Sequence, residues 1–317
     1  MSHTKPITVS VVIPSLNRPQ IVIKAVQSAL AQTLKSIEVI VVVDGPDEAT
    51  VSELEKVNDP RLKIKSLPEN VGCADSRNEG VAEAEGKWIA FLDDDDEWLP
   101  QKLELQLAAA NKSLSKFPII ASRYIAKSPT DKAILPKRLP NPKENISEFL
   151  FVRESLFERA ESIQTSTFFT TKELLQIVPF TKKLRKHVDW DWLIRASSKI
   201  EVTVEVIPEV LVTRYCEEDR ERITNVKNWQ FAQEWICSIR DYITPKAYAG
   251  FLLRVATRQA SIAGDRQAFL PLLKESFSNG QPRAIDLLSF FLLWLIPLQL
   301  RQQLRSLLVK KQKVFKN

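Results

Sequence analysis

The sequence is poor in the residues that build structural metal centres and crosslinks. Its 317 residues include two histidines and three cysteines, and Cys73, Cys216 and Cys237 lie far apart with no CxxC pair. A structural zinc site is therefore not expected, and reduced thiols are the simplest interpretation. Glycine is also scarce. None of the seven glycines belongs to a GxGxxG motif, which argues against the glycine-rich phosphate loop of a nucleotidyltransferase.

Long apolar runs are missing too. The most hydrophobic window, Ala284–Leu300, contains Asp286 and Pro297 and is short for a membrane-spanning helix, which needs about 20 apolar residues. With 44% hydrophobic and 26% charged residues, the composition is that of a globular chain. The polar stretch Met1–Thr8 runs directly into strand-like residues, so we expect no signal peptide and a cytoplasmic protein.

The excess of positive charge is confined to the C-terminus. The net charge is +6, yet Arg301–Asn317 holds six of the 45 Lys/Arg residues and no acid, so the rest of the chain is balanced. We therefore expect no nucleic-acid partner. Helix Ala284–Leu300, with Trp294 and the basic tail, predicts peripheral attachment to an anionic surface on the cytoplasmic membrane face. The alternative is a core helix packed on other aromatic residues: Trp229, Phe231 and Trp235.

Strand and helix patterns alternate over the first hundred residues. Val9–Ile13 is a β-branched run, and Gln20–Gln32 spaces its apolar residues as a helix does. Continuous apolar runs are typical of strands covered on both faces, as in a parallel sheet. The same patterns predict further strands at 38–43, 62–66 and 87–92 and further helices at 49–57 and 74–84.

The remaining sequence is mixed, and then helical beyond about Asn225. Helices are predicted at 99–117, 146–159, 172–177 and 189–197, strands at 119–126, 163–169 and 202–207, and a loop at 128–143. The predicted fold class is α/β: a Rossmann-like, mostly parallel sheet flanked by helices, followed by a helical C-terminal appendage. We place the boundary between a domain at 1–220 and a region at 221–317.

Four consecutive aspartates, Asp93 to Asp96, directly follow the fourth predicted strand. Such a cluster repels itself unless a cation or a hydrogen-bond network compensates, and carboxylate oxygens suit Mg²⁺ or Mn²⁺. The alternative is a solvated acidic turn before the next helix. In parallel sheets, ligands bind beyond the carboxyl ends of the strands, so residues 14–18, 44–45 and 68–72 are expected beside the cluster.

Three segments resemble family 2 glycosyltransferases in order and in spacing. Residues 91–100, FLDDDDEWLP, closely resemble the family's FLDxDDxWxP segment. Residues 9–19, VSVVIPSLNRP, resemble its opening strand and nucleotide loop, and residues 70–86 resemble the segment NxGxxxARNxGxxxAxG. The resemblance covers the chain to about residue 215 and implies a GT-A fold.

The resemblance implies a donor site for a nucleoside-diphosphate sugar, with a UDP-sugar favoured, and a divalent cation, Mn²⁺ or Mg²⁺, at Asp95 and Asp93. One departure concerns the second loop, which has a single acid, Asp44, where many relatives have two. The alternative for Asp44 is an ordinary Asp-Gly turn. The implied donor-binding residues are Pro14, Ser15, Asn17, Arg18, Asp44, Arg77, Asp93, Asp94 and Asp95.

A second acidic site follows about a hundred residues later. Residues 187–195, HVDWDWLIR, resemble the family's EDWDxxLR or HQDWDxxLR segment, which implies that Asp189 is the general base. Val188 departs from the usual Glu or Gln, which leaves the orientation of the base open. The alternative for Asp189 and Asp191 is a pair of helix-start acids, and for His187 a surface histidine. The implied acceptor residues are Gln164, Thr165, His187, Trp190 and Asp191.

Together these features imply an inverting glycosyltransferase. It would move one sugar to an acceptor hydroxyl on a polysaccharide, a lipid-linked sugar or another glycoconjugate. No QxxRW segment of the processive synthases is found, which favours addition of a single sugar. The alternative is a non-catalytic nucleotide-sugar-binding subunit or sensor.

Overall fold

The computed structural model describes residues 6–156, 162–216, 228–296 and 300. The chain divides into two compact units, the first formed by residues 1–146 and 161–223 and the second by residues 147–160 and 224–317. The sequence patterns gave no sign that residues 147–160 group with the C-terminal unit. The predicted boundary at residue 220 stays a prediction.

The first hundred residues form a parallel sheet, as predicted. Strands occur in the order β3-β2-β1-β4, and all three pairings are parallel. Every residue of β1 and of β2 is buried, because helices cover both faces of the sheet. The elements are β1 Val9–Ser15, α1 Pro19–Leu30, β2 Ile37–Val43, α2 Glu48–Glu55, β3 Leu62–Ser66, α3 Cys73–Glu83 and β4 Trp88–Phe91.

The rest of the first unit extends this sheet with mixed pairing. The short strand β8 lies antiparallel to β4 and to β6, β9 lies parallel to β6, and β5 lies antiparallel to β9. The fold is thus the predicted α/β class, but antiparallel pairs join the parallel pair β6–β9 in the second half of the sheet. The elements are β5 Asp96–Trp98, α4 Lys102–Lys112, β6 Phe117–Lys127, β7 Lys132–Leu135, β8 Phe169–Thr171, α6 Lys172–Ile177, α7 Val188–Ser197 and β9 Val202–Tyr215.

Four element predictions need correction. The predicted loop 128–143 contains β7, which pairs antiparallel with β6. The predicted strand 163–169 contains a 3₁₀ turn at Thr165–Thr167, and the strand β8 begins only at Phe169. The predicted strand 202–207 continues to Tyr215, because β9 follows β6 past an irregularity at Ser122–Tyr124 and then pairs with β5. The predicted helix 146–159 ends at Phe151, and residues 157–159 lie outside the described ranges.

Two glycines in the segment 70–86 have a packing reason. A Cβ on Gly80 would lie 2.3 Å from Val12 Cγ1, so α3 reaches β1 closely only with glycine there. A Cβ on Gly86 would lie 2.7 Å from the backbone nitrogen of Ser10. Both contacts bring α3 and the turn after it onto the strand that carries the predicted nucleotide loop.

The second unit is helical throughout its described residues, as predicted. A π-helical turn at Phe251–Ala256 continues directly from α9 into α10. Arg254 and Asp286 form a buried ion pair of 3.1 Å between this turn and α12. Among the described helices, none has both the length and the hydropathy that a bilayer-spanning segment requires. The elements are α5 Ile146–Phe151, α8 Trp229–Ser238, α9 Pro245–Gly250, α10 Thr257–Ala263, α11 Phe269–Ser278 and α12 Ala284–Leu295.

Candidate active site

The acidic turn after β4 is tied to the loop after β1 through Asp94. Its carboxylate accepts hydrogen bonds from Ser15 Oγ at 2.9 Å and from Arg18 Nη1 at 2.7 Å. Asp94 is only 6% exposed, and burial, with a contribution from Asp95, raises its pKa to about 6 although Arg18 opposes the shift. Three predicted donor residues thus meet, and Asp94 acts as an anchor for the loop that carries Ser15 and Arg18.

Arg77 connects the acidic turn with the predicted base. It projects from α3, is 3% exposed, and places Nη2 2.6 Å from Asp93 Oδ1. Its Nη1 lies 4.0 Å from Asp189 Oδ1. Two carboxylates that are almost a hundred residues apart in sequence therefore flank one guanidinium.

Asp189 lies in the first turn of α7, at an unusual helix start. The residue before α7, His187, has left-handed backbone angles with φ 61°. Thr165 Oγ1 donates a short hydrogen bond to Asp189 Oδ1. Burial raises the pKa of Asp189, and Arg77 and Thr165 act in the opposite direction. With 26% of its side chain exposed, Asp189 still reaches solvent. Thr165 thus binds one oxygen of Asp189. The role of Asp189 as general base stays a prediction.

Ser166, next to Thr165, joins the acidic turn from the other side. Its Oγ donates to Asp96 Oδ2 at 2.6 Å and accepts from the backbone N–H of Asp93 at 3.1 Å. The Ser166 carbonyl accepts from Trp98 Nε1 at 2.8 Å. The sequence placed Asp96 in the acidic cluster without naming it as a ligand, and it suggested that the polar groups of residues 164–166 contact the acceptor rather than the acidic turn. The polar run Gln164–Thr167 within an otherwise apolar segment was the only signal.

Three carboxylates of the acidic turn suit a divalent cation. Asp93, Asp95 and Asp96 each offer an oxygen, and these oxygens lie within 4.8 Å of one another. Asp96 is 2% exposed, and its Oδ1 has no hydrogen-bond partner. An oxygen-only set with an orphaned buried carboxylate oxygen fits Mg²⁺ or Mn²⁺, which are hard cations.

Burial, Asp93 and Asp95 together raise the pKa of Asp96 well above its ordinary value. Arg214, directly opposite Asp96 in the β5–β9 pairing, counteracts this shift. The long strand β9 brings Arg214 to the acidic turn.

The remaining predicted donor residues line the same end of the sheet. Pro14 is buried in β1. Asn17 has φ 53°, and its N–H donates to Asp47 Oδ2 at 2.7 Å. Asp44 accepts from the N–H groups of Val71 and Gly72 at 2.7 and 3.0 Å, so its carboxylate shapes the loop before α3. A contact between Asp44 and a nucleobase or ribose stays a prediction.

The predicted acceptor residues divide into two groups. Thr165 contacts Asp189, and Gln164 lies beside it, with Nε2 bonded to Ser162 Oγ at 2.7 Å. His187 stacks on Trp190 with ring centroids 5.1 Å apart, and burial, helped by Lys186, lowers the pKa of His187 to about 4. His187 is therefore neutral at pH 7.

Asp191 has a structural environment. It is 2% exposed, accepts from Thr181 Oγ1 at 2.6 Å and pairs with Arg195 at 2.7 Å. The bond from Thr181 ties the start of α7 to the segment before it, whereas the pair with Arg195 lies within α7. A contact between Asp191 and the acceptor stays a prediction.

The fold is that of the GT-A type. The same fold occurs in S. aureus TarS: the structure of residues 1–349 has a TM-score of 0.57 at 18% identity, covering 90% of each chain. The structure of TarS 1–349 in complex with UDP-GlcNAc has a TM-score of 0.51 at 18% identity, covering 86% of this chain and 73% of that chain.

The family itself is shown by sequence. The profile of glycosyl transferase family 2 matches residues 10–174, so the chain belongs to that family and is a glycosyltransferase. AmsB of Erwinia amylovora, an amylovoran biosynthesis glycosyltransferase, is 27% identical over 283 residues, which are 84% of this chain and 92% of AmsB. TuaG of Bacillus subtilis (strain 168), a putative teichuronic acid biosynthesis glycosyltransferase, is 35% identical over 139 residues, covering 42% of this chain and 54% of TuaG.

Proposed function

We propose that this glycosyltransferase moves one sugar, with inversion, from a nucleoside-diphosphate sugar to an acceptor hydroxyl. Asp189 is the general base, and a divalent cation, Mn²⁺ or Mg²⁺, is held by Asp93 and Asp95. The observation that carries the proposal is Arg77, which lies 2.6 Å from Asp93 and 4.0 Å from Asp189. One cationic side chain thus links the carboxylate of the donor half with the carboxylate of the acceptor half.

The residues of the site would have separate roles in stabilising the leaving group and in accepting the proton. A bound divalent cation supplies positive charge for the diphosphate leaving group. Arg77 adds a fixed cation beside Asp93, in a buried position where electrostatic stabilisation is strong. Thr165 holds one oxygen of Asp189, so the other oxygen is available to accept the proton of the attacking hydroxyl. Attack from the side of Asp189, opposite the leaving group, inverts the anomeric carbon.

A UDP-sugar is the first donor to test. TarS shares the fold and has been crystallised with UDP-GlcNAc and with UDP. The relatives AmsB and TuaG are named for the biosynthesis of amylovoran and teichuronic acid, which favours a polysaccharide, a lipid-linked sugar or another glycoconjugate as acceptor. The sugar itself depends on side chains in the segment between β6 and α7.

The proposal is tested by a donor screen that measures release of nucleoside diphosphate from UDP-, GDP- and dTDP-sugars with Mn²⁺ and with EDTA. We expect release from one donor class, dependent on the cation, and loss of about 10²- to 10⁴-fold in Asp189→Asn, as for removal of a general base. Donor affinity of Asp189→Asn, measured by calorimetry, should stay near wild type. Turnover at the wild-type rate in Asp189→Asn would refute the base assignment, and NMR of the product tests inversion.

The C-terminal unit supports attachment to an anionic membrane surface. One side of α12 is packed, with Asp286 and Phe290 fully buried. The other side carries Leu288, Phe291 and Leu295, which are 49%, 42% and 76% exposed. Their spacing places them on one face of the helix, and the tail after residue 300 is basic with no acid. An exposed apolar face next to positive charge suits anionic lipid head groups.

Co-sedimentation with vesicles tests this attachment. We expect binding to vesicles that contain phosphatidylglycerol, and weaker binding to pure phosphatidylcholine. The double variant Phe291→Gln/Leu295→Gln should bind to the vesicles at least about tenfold more weakly. Each apolar CH₂ group that is no longer buried in the membrane weakens binding by about 0.8 kcal/mol. The control Leu114→Gln/Ile200→Gln removes two apolar side chains from the other unit that are more exposed than Phe291 and Leu295. Equal binding of the α12 variant and the control would refute the proposed surface.

A further inference from the structure

Asp96 is a buried carboxylate in which only one of the two oxygens accepts a hydrogen bond from the protein. Asp96 is the first residue of β5 and lies opposite Arg214 in the antiparallel pairing of β5 with β9. It is 2% exposed. Its Oδ2 accepts from Ser166 Oγ at 2.6 Å, whereas Oδ1 is buried without a partner. A buried polar atom without a partner costs about 1–3 kcal/mol, and more when it is charged. Such an atom therefore needs an explanation.

The orphaned carboxylate belongs to the acidic cluster in space as well as in sequence. An oxygen of Asp96 lies within 4.8 Å of oxygens from Asp93 and from Asp95. Asp93 is already compensated by Arg77 at 2.6 Å, and Arg18 lies 3.5 Å from Asp95. Asp96 is the most buried of the three, and the hydroxyl of Ser166 is a weak compensator for a full negative charge.

Ser166 binds one carboxylate oxygen of Asp96 and leaves the other without a hydrogen bond. A serine hydroxyl has one hydrogen, and Ser166 spends it on Oδ2 while its oxygen accepts from the N–H of Asp93. Ser166 is fully buried, and its carbonyl is held by Trp98 Nε1. The side chain of Asp96 is thereby locked to the same backbone turn that carries Asp93, with Oδ1 left over.

We infer that Asp96 is a third carboxylate ligand of the divalent cation, and that Ser166 positions it by binding the oxygen that the cation does not take. This inference rests on the proposed cation site at Asp93 and Asp95. Three carboxylates would carry more negative charge than the cation neutralises. The arginines beside them, Arg18, Arg77 and Arg214, offset the excess. The alternative is a protonated Asp96 that only stabilises the turn.

Direct measurement of Mn²⁺ binding separates the two possibilities, without donor or acceptor. The full chain is titrated with Mn²⁺, and the free ion is followed by its EPR signal. We expect Asp96→Asn to weaken Mn²⁺ affinity at least about tenfold, since a charged ligand becomes a neutral amide of the same size. The matched control is Glu97→Gln, the neighbouring half-buried carboxylate outside the cluster, which should bind as wild type does. Wild-type affinity in Asp96→Asn would overturn the inference.

Two further variants distinguish failure of the Asp96 role from failure of the cation site or of folding. Asp95→Asn tests the proposed function separately: if it weakens binding while Asp96→Asn does not, the cation site stands and the role of Asp96 is refuted. If neither variant weakens binding, the cation site itself fails. Should Asp96→Asn not fold, as judged by circular dichroism, Ser166→Ala decides. It keeps the carboxylate and removes its orienting bond, so we expect affinity to fall about three- to tenfold, and unchanged affinity would overturn the inference.

Discussion

Arg77 and Asp93 form an ion pair of 2.6 Å in which the arginine side chain is only 4% exposed. The same guanidinium lies 4.0 Å from Asp189, so its charge acts on both carboxylates. Its position has a further consequence for acid–base chemistry, because Arg77 lowers the pKa of Asp189 against the effect of burial. A residue predicted to bind the donor therefore also affects the protonation of the proposed base.

Replacing Arg77 should change the pH dependence of transfer. In Arg77→Gln the positive charge is lost, so the pKa of Asp189 rises and the acid limb of the kcat/KM profile moves to higher pH. Arg77→Lys keeps a charge but loses the planar fork, so its acid limb should stay closer to that of the wild type while activity falls. The measurement is kcat/KM between pH 5 and 9, with circular dichroism to confirm folding. Coincident profiles for Arg77→Gln and wild type would contradict the coupling.

Thr165 is expected to act on the chemical step through Asp189. Thr165→Val keeps the shape of the side chain and removes the hydroxyl that orients the carboxylate. We expect kcat to fall about tenfold, which corresponds to about 1.4 kcal/mol, with little change in KM for the donor. Thr165→Ser keeps the hydroxyl and should restore most of the rate. A fall in Thr165→Ser as large as in Thr165→Val would indicate a packing role instead.

The parallel half of the sheet was predictable because its signals are local. β1, β2 and β4 are short apolar runs, and burial on both faces requires such a pattern. The edge strand β3 alternates apolar residues with lysines. The strand β7 escaped prediction because it is a short edge strand whose residues alternate between exposed and half-buried. Its pairing with β6 is a tertiary property.

The sequence predicted the acids of the candidate site and several groups that bind them, namely Ser15, Arg18, Arg77 and Thr165, and the roles of these residues stay predictions. Asp93, Asp95 and Asp189 stand in motifs that can be read along the chain. Ser166 and Arg214 matter only because β8 and β9 return to the acidic turn, and no local pattern encodes that return. The resemblance supplied the roles of the acids, while the hydrogen bonds supply their geometry.

Asp94 should make the folded state sensitive to pH. Its pKa of about 6 in the folded protein lies above the ordinary value of 3.8. Between these values the folded state binds more protons than the unfolded state, so the free energy of unfolding falls as pH rises from about 4 to about 6. Asp94→Asn removes this contribution, which is on the order of 2 to 3 kcal/mol for a shift of about two units.

Urea unfolding at pH 4, 5, 6 and 7 in EDTA checks this expectation. Because the Asp94 contribution falls with rising pH, the slope of stability against pH should be more positive in Asp94→Asn than in wild type. The exposed Asp241→Asn is the matched control and should keep the wild-type slope. Parallel curves for Asp94→Asn and wild type would show that the Asp94 carboxyl titrates normally in the folded protein.

Gly80 should be intolerant of even one methyl group, although alanine is the better helix former by about 1 kcal/mol. Its Cβ would lie 2.3 Å from Val12 Cγ1, and Val12 is a fully buried, β-branched residue in the centre of β1. We expect Gly80→Ala to destabilise the protein by about 1–3 kcal/mol through overpacking.

Val12→Ala removes the clashing methyl groups, so the double variant Val12→Ala/Gly80→Ala should be more stable than the sum of the two single changes predicts. Chemical denaturation of all four proteins gives the coupling energy, expected at about 1 kcal/mol or more. Strict additivity would mean that α3 moves away from β1 to accept the methyl group. The close packing of α3 on β1 would then not be required for the predicted nucleotide loop that follows β1.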